Sequence, residues 1–363
     1  MKGEKGSMKN RKKLTAVALA TVMGLSYTSY PVYAQEEIKT NVSNAVENVN
    51  AQEQNSKINE TVTQQNETTE SNKLTNEVKM YAENNAGSFN VTDGMAGTDW
   101  TYDNSANTLT FNNSGTYTVT GDGTQTSEKI IVSDNFEGKI TIENINISAD
   151  CAFEVKNTAN LTLNLSGNNI LTSSLGAGLQ FSGDGTGTLT IKSNNNGSLT
   201  AKGHNFAAGI GGGMRESARN ITINSGIVNS TSYYGAGIGG GYSKTGTNII
   251  INGGTVTAKS EYGAGIGNGQ AEYGNSNIII TGGSVKANSI GTTPKDNNGK
   301  YVYLAKIEGL SGINTVTVDG NQTYSRNGDH PDDGTFYLYL TGENHIITTA
   351  KGNYIAQWIS DSN

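Results

Sequence analysis

Apolar and polar residues alternate in short runs that recur at a fixed interval through the middle of the chain. Three such runs are NITINSGIVNS (220–230), NIIINGGTVTA (248–258) and NIIITGGSVKA (277–287), and their first isoleucines lie 28 and 29 residues apart. Alternation of period two predicts short half-buried strands, and the Gly, Asn and Ser residues between the runs predict turns. The sequence therefore predicts an array of β-strand repeats.

Each repeat holds three short strand patterns and no helical one. Three strands and their turns fit one coil of a parallel β-helix, whose coils pair edge to edge at about 4.8 Å. We therefore predict an all-β fold, a parallel β-helix (solenoid) of about six or seven coils followed by a small C-terminal β module. Because alternate strand residues face the same side, Ile221, Ile249 and Ile278 should stack in one inward column.

The phrase AGIG accompanies the repeats at 208–211, 236–239 and 264–267. Its alanine and isoleucine should share the inward side, which predicts a further column of Ile210, Ile238 and Ile266. Its glycines should leave a flat outward side with almost no side chains, and they permit positive φ and close backbone approach.

An aromatic residue precedes each AGIG phrase at a matched position, which predicts an aromatic ladder of Phe206, Tyr234 and Tyr262. Alternation places Tyr234 on the same inward side as Ala236, so we expect the ladder to fill the core; an exposed platform for sugar rings is the alternative. A second ladder, of asparagine amides, is expected to satisfy backbone groups at the corners. It comprises Asn220, Asn248 and Asn277.

The N-terminal residues have the pattern of a secretory signal peptide. A basic stretch ending at Lys13 precedes an apolar run that starts at Leu14, and VYA stands before Gln35. We predict a signal peptide over 1–34 with cleavage after Ala34. Residues 35–85 lack Gly and Pro and are rich in Asn, Gln, Glu and Thr, which predicts a disordered stalk, with a transient helix as the alternative.

Charge and hydropathy restrict the kinds of partner that this chain is expected to bind. The net charge is −7, and removing the +5 of the signal peptide leaves −12, which argues against nucleic acid as a partner. No later run approaches the roughly 20 apolar residues of a membrane span. We expect a secreted, extracellular monomer associated with the cell surface, with the β-helix over 86–292 and the cap module over 300–363.

A longer stretch carries a resemblance to a known family. The segment SGTYTVTGDGTQTSEKIIVSDNFEGKITIENINIS (114–148) resembles the carbohydrate-binding-domain β-helix proteins secreted by Gram-positive bacteria. The GAGIGGG and NITIN phrases are similar to repeats of large Firmicute surface proteins. The resemblance implies a right-handed helix that binds cellulose or acidic polysaccharides, and calcium as a cofactor. It supplies no motif from which a binding residue can be carried over.

Three tyrosines in corners or loops are the candidate carbohydrate-binding residues, namely Tyr233, Tyr242 and Tyr273. Asp329, Asp332 and Asp333 are candidate calcium ligands, because three carboxylates close together can hold this cation; an ordinary polar turn is the alternative. The single cysteine, Cys151, allows no internal disulfide. A buried inert thiol is expected there, with intermolecular pairing as the alternative.

Several other functions remain open at this stage. Some polysaccharide lyases are also parallel β-helices. A basic cluster of Lys202, His204, Arg215 and Arg219 could act in such an enzyme, although Glu216 is the only acidic residue beside it. Ice binding would need unbroken outward threonine ranks, which the sequence lacks. We expect a non-catalytic protein that binds polysaccharide or cell-wall glycan. A structural spacer or a protein-binding adhesin is the alternative, and a lyase or hydrolase ranks below both.

Overall fold

The computed structural model describes residues 85–183, 185–326 and 334–357, together with the backbone of 14–18. Every regular element within these ranges is a β-strand. The predicted stalk lies outside the described residues except for Asn85, and so does most of the predicted signal peptide. No helix in the described part of the chain is long and apolar enough to cross a membrane.

The strands fall into three groups along the chain. The first four are β1 (Leu14–Ala18), β2 (Asn85–Ala86), β3 (Phe89–Thr92) and β4 (Trp100–Asp103). The repeats contain β5 (Thr108–Phe111), β6 (Gly115–Thr120), β7 (Lys129–Val132), β8 (Glu137–Glu143), β9 (Asn146–Ala149), β10 (Phe153–Val155), β11 (Asn160–Ser166), β12 (Asn168–Ser173), β13 (Leu179–Phe181), β14 (Thr188–Ser193), β15 (Ser198–Lys202), β16 (Ile210–Gly211), β17 (Ala218–Ile223), β18 (Ile227–Ser232), β19 (Ile238–Gly239), β20 (Gly246–Ile251), β21 (Thr255–Ser260), β22 (Ile266–Gly267), β23 (Ile278–Ile280) and β24 (Ser284–Ala287). The C-terminal group is β25 (Val302–Ile307), β26 (Thr315–Val318), β27 (Gln322–Ser325), β28 (Phe336–Thr341), β29 (His345–Thr349) and β30 (Gly352–Gln357).

The repeat strands wind through three faces. Face one is the eight-stranded sheet β22-β19-β16-β13-β10-β7-β5-β4, face two the nine-stranded sheet β2-β3-β6-β8-β11-β14-β17-β20-β23, and face three the six-stranded sheet β24-β21-β18-β15-β12-β9. From β5 onward all pairings within the three faces are parallel. The six strands of face three mark six complete coils, which confirms the predicted parallel β-helix.

Equivalent inward residues stack directly on one another. Ile221 pairs with Ile249, and Ile249 with Ile278, on face two. On face one the predicted column of Ile210, Ile238 and Ile266 is present in the same register, and all three side chains are fully buried. The spacing of 28 residues is therefore the length of one coil, and the core is a set of aliphatic columns.

The glycines of the AGIG phrases are buried, which corrects the expectation of a bare exposed face. The face-one strands of these phrases, β16, β19 and β22, are each only two residues long. The chain turns back at once, with the Ala236 N–H donating to the Gly240 carbonyl at 2.8 Å. Gly239 has φ of 139°, and a Cβ there would lie 1.9 Å from the Gly267 carbonyl oxygen. Glycine is needed here because only it allows both the positive φ and this close approach between coils.

The predicted asparagine ladder is present in part. The side-chain amide of Asn248 donates to Asn220 Oδ1 at 2.6 Å, and both residues have positive φ. Asn277 precedes the shorter strand β23 and is exposed. A second ladder, which the sequence analysis missed, links the Asn252 amide to Asn224 Oδ1 at 2.9 Å.

The N-terminal end of the β-helix is closed by antiparallel strands, β3 against β6 and β4 against β5. The buried carboxylate of Glu128 ties these strands to the first coil. It accepts hydrogen bonds from the backbone N–H and hydroxyl of Ser88 and, at 2.6 Å, from the Tyr102 hydroxyl. Although burial opposes ionisation, the hydrogen bonds from Ser88 and Tyr102 prevail, so the pKa of Glu128 lies below its ordinary value.

The C-terminal end is closed by the segment that follows β24. Ile290 bridges to Ile266 at the edge of face one, and Lys295 bridges to Ile279 at the edge of face two. At face three the backbone N–H of Tyr337 donates to Ser284 Oγ at 3.1 Å. The last coil is thus covered on all three faces, by backbone bridges on faces one and two and by a hydrogen bond to a side chain on face three. A solenoid end requires such a cover.

The C-terminal strands form one sheet, in the order β27-β26-β29-β30-β1-β25-β28. Val302 and Tyr339 belong to the same buried cluster as the coils, so the sheet packs on the last coil through β25 and β28. The other face of the sheet has a core of its own around Phe336 and Leu338. Strand β1 lies within the predicted signal peptide, and cleavage after Ala34 would remove it from the mature chain.

Replacement of Ile238 by alanine tests the inward columns. Because Ile238 is fully buried between Ile210 and Ile266, Ile238→Ala should lower the free energy of unfolding by about 2–5 kcal/mol. Ile250→Ala is the matched control, since Ile250 is half-buried on the outward side of face two. Urea denaturation measures both; an equal loss in the two variants would contradict the assigned register.

Replacement of Glu128 by glutamine tests the N-terminal closure. A carboxylate with a lowered folded-state pKa stabilises the fold fully above its ordinary pKa of 4.5, and that contribution is lost as the pH falls through the lower folded value. Glu128→Gln should therefore lower the melting temperature at neutral pH and weaken its dependence on pH in the acid range. Melting curves that have the same acid dependence as the wild type would show that Glu128 does not contribute.

Truncation after Thr292 tests the C-terminal closure. The shortened chain loses Lys295 and strands β25 to β30, which exposes the edges of β23 and β24 and the core beneath them. We expect aggregation or a lower melting temperature, measured by light scattering and calorimetry. A soluble truncated chain that melts at the temperature of the full chain would show that the sheet is an independent appendage.

Candidate functional site

Aromatic rings gather on the outside of face one, at the corner where the chain arrives from face three. The predicted ladder is present: Phe206 stacks on Tyr234 with ring centroids 4.9 Å apart, and Tyr234 on Tyr262 at 5.2 Å. The interplanar angles of 15° and 23° make these stacked pairs. The same coil register that aligns the inward isoleucines therefore aligns these rings.

The ladder lies at the surface and does not fill the core, contrary to the expectation from alternation. Phe206 and Tyr234 are half-buried, and Tyr262 is 51 % exposed. The alternation rule fails because the face-one strand begins only at Ile238, so that Tyr234 precedes it in a bend. Inward and outward positions alternate only where the backbone is extended.

Two more tyrosines lie across the ladder and complete an aromatic cluster of Phe206, Tyr233, Tyr234, Tyr242 and Tyr262. Tyr233 makes edge contacts with Tyr234 at 4.6 Å and with Tyr262 at 5.1 Å. Tyr242 makes similar contacts with Phe206 at 5.5 Å and Tyr234 at 6.1 Å. The structure thus brings two of the three predicted tyrosines together, and adds Tyr262, which sequence reasoning had placed in the core.

The free ring surface of the cluster lies at one end. Within the ladder each inner face is covered by the next ring, whereas no further ring stacks on Tyr262 among the described residues. Tyr233 is also 41 % exposed, and its hydrogen bond with Tyr262, followed by the charge interaction with that phenol, raises its pKa. The cluster is therefore a partly open aromatic surface, with Tyr233 and Tyr262 as its exposed rings.

Tyr273, the third predicted tyrosine, lies apart from the cluster. It is 95 % exposed in the loop between β22 and β23, and it makes no ring contact with any described residue. Gln270 in the same loop donates its N–H to the Tyr234 carbonyl at 2.8 Å, so the loop begins beside the ladder. Tyr273 is an isolated tyrosine on the same side of the protein.

A shallow groove of about 240 Å³ continues the aromatic cluster toward the N-terminal coils. The His204 N–H donates to the Gly176 carbonyl at the wall of the groove, and the His204 ring lies 5.9 Å from the Phe206 ring. Gln180 lines the groove and accepts the Ala177 N–H, while its amide nitrogen has no partner among the described residues. The groove lining comprises Asp150, Cys151, Leu175, Gly176, Gln180, Gly213, Met214 and Glu216.

Cys151 lies at the edge of this groove and is not exposed. Burial, and then the nearby carboxylates of Glu154 and Asp150, raise the pKa of the thiol to about 12. Because the thiolate is the reactive form, this cysteine is inert at neutral pH. The environment agrees with the predicted buried thiol.

The basic residues considered for a lyase lie on different elements. Lys202 ends β15 and His204 follows it, before face one; Arg215 lies in the exposed loop after face one; Arg219 lies on β17 of face two. Within the described ranges no three His, Cys, Asp or Glu side chains are grouped so that they could hold a metal ion. The predicted calcium ligands Asp329, Asp332 and Asp333 lie outside the described residues.

The repeats are similar to a known family. A family model described as a beta helix repeat matches residues 195–214, 221–242 and 249–270, so the matched segments follow the coils from β15 to β22 and include all five residues of the aromatic cluster. No curated protein and no solved structure matches the chain significantly. The family match supports the parallel β-helix and is compatible with a surface or binding protein.

Proposed function

We propose that this is a secreted, non-catalytic protein of a bacterial cell surface that binds polysaccharide through the aromatic cluster and the adjoining groove. The observation that carries the proposal is the open end of the cluster, where Tyr262 and Tyr233 present ring surface to solvent. The faces of a sugar ring are lined with C–H bonds, and stacking them on an aromatic ring removes apolar surface from water.

The groove supplies the polar half of such a site. The amide nitrogen of Gln180 has no partner among the described residues. Glu216, and Asp150 beside its ion pair with Lys129, have carboxylate oxygens that can accept hydrogen bonds from sugar hydroxyls. Cluster and groove follow each other along the axis of the β-helix, so an extended chain of sugar units could contact both. Since the backbone beneath is held by coil pairing, binding would cost little conformational entropy.

A structural spacer or a protein-binding adhesin remains the alternative function. A spacer needs the coils and their closed ends but has no use for clustered tyrosines at a corner. The cluster therefore favours a binding role. A lyase or hydrolase ranks lower because the basic residues lie on separate elements, without an accompanying group of carboxylates in the described residues.

Polysaccharide retention tests the proposal. Insoluble and immobilised glycans, neutral and acidic, are incubated with the full secreted chain, with calcium or with a chelator. Tyr262→Ala and Tyr233→Ala should each weaken retention about tenfold or more, the usual effect of removing a central aromatic contact. Tyr273→Ala is the matched control, an exposed tyrosine outside the cluster, and should leave retention unchanged.

Two outcomes would contradict the proposal. Retention that survives both cluster variants, while their melting temperatures stay normal, would place binding elsewhere. Release of reducing or unsaturated sugar ends, abolished by Arg215→Ala, would show an enzyme. Loss of retention with the chelator alone would assign calcium to the site.

A further inference from the structure

A second cavity lies where the C-terminal sheet meets the last coil. This terminal cleft has a volume of about 230 Å³ and is more enclosed than the groove on face one. Its apolar floor includes Ile280, Val302 and Leu340, and its rim is polar. The polar rim comprises Thr281, Asp296, Asn297, Asn298, Asp319, Gln322, Thr341 and His345.

Two tyrosines of the cleft have largely buried rings. Tyr324 is 3 % exposed and Tyr339 is 6 % exposed, and both line the cleft. Neither phenol has a hydrogen-bond partner among the described residues. Neither hydroxyl is among the fully buried polar atoms that lack a partner, so both are open to the cleft and can donate or accept hydrogen bonds from an occupant with polar groups.

The side chains of His345, Asp319 and Thr341 line the same cleft as the two phenols and hold one another by hydrogen bonds. His345 Nδ1 lies 2.6 Å from Asp319 Oδ2, and His345 Nε2 lies 3.0 Å from Thr341 Oγ1. The second oxygen of Asp319 accepts the Ile346 N–H at 2.9 Å, and these two hydrogen bonds outweigh burial and lower the pKa of Asp319. The orientation of this set is therefore fixed before any ligand binds.

The amides of the linker turn complete the rim. Asp296 Oδ1 accepts the N–H groups of Asn298 and Lys300, at 2.9 and 2.8 Å, which fixes the turn at the mouth of the cleft. The side-chain amides of Asn297 and Asn298 have no partner among the described residues and can donate or accept. Amides, hydroxyls and phenols thus surround a small apolar floor.

From this arrangement we propose that the terminal cleft binds one neutral sugar ring, either a free sugar or the end of a glycan chain. A volume of about 230 Å³ is suited to a single hexose-sized molecule and is small for a longer chain of sugar units. A neutral ring is favoured over an acidic one because Asp296 and Asp319 lie in the rim and would repel a carboxylate. The proposal does not depend on the aromatic cluster of face one.

Calorimetric titration of the full chain tests the cleft. The probes are the methyl glycosides of glucose, galactose and N-acetylglucosamine, with glucuronic acid as the charged counterpart and a short oligosaccharide for the chain end. At least one neutral probe should bind, and Tyr324→Phe and Tyr339→Phe should each weaken it about two- to tenfold, the effect of one lost hydrogen bond. These variants remove a single oxygen, so the packing stays intact.

The controls separate this site from the rest of the protein. Tyr354→Phe changes a tyrosine of the same sheet that packs on its other core, and it should not alter sugar binding. Tyr262→Ala should likewise leave it unchanged, even where polysaccharide retention is lost. If the oligosaccharide binds as tightly as its end sugar, the ligand is the end of a glycan chain. If only the free sugar binds, the ligand is the free sugar.

Three results would overturn the proposal. They are the absence of heat with every neutral probe, equal binding by Tyr324→Phe, Tyr339→Phe and the wild type, and binding of glucuronic acid as tight as that of the neutral sugars. The last result would remove the charge argument, and the first two would leave the hydroxyls of Tyr324 and Tyr339 without a ligand.

Discussion

The stacking of each coil on the one before is the constraint on which the rest of this structure depends. The parallel strands keep their hydrogen bonds only if each inward residue stacks on the equivalent residue of the coil before it. Ile221, for example, pairs with Leu189 of the coil before and with Ile249 of the coil after. Leu189 and Ile221 are 32 residues apart, whereas Ile221 and Ile249 are 28 apart. The extra residues are accommodated in turns, so the register survives an unequal repeat length.

The same constraint decides where chemistry can be placed. Outward residues on the faces are fixed at the strand spacing, but the corners can hold longer loops and larger side chains without disturbing the ladder. The aromatic cluster lies at such a corner, where the two-residue strands of face one leave the flanking segments outside. Glycine at 211 and 239 makes this possible, because a side chain there would collide with a carbonyl oxygen of the next coil.

Periodicity predicts the parts of this fold that the ladder controls and fails where the ladder ends. The inward isoleucines and the alignment of Phe206, Tyr234 and Tyr262 follow from the spacing alone. The side on which Tyr234 lies does not, because alternation does not reveal that the strand begins only at Ile238. No local pattern in the sequence predicts that Tyr324 and Tyr339 line one cleft, because the cleft forms only when the C-terminal sheet packs on the last coil.

Repeated and unrepeated surfaces of this protein suit different ligands. Equivalent positions in successive coils present similar groups at equal intervals, which matches a polymer whose own units repeat. A solenoid must also end, and its last coil has to be covered by a segment unlike the coils because its edges and core would otherwise be exposed. The junction so formed at the C-terminal end is not repeated along the coils, and it holds polar groups from the last coil, the linker and the sheet around one enclosed space. Such a space is suited to a single small molecule, so the closure that the fold requires for stability also creates the more enclosed of the two candidate sites.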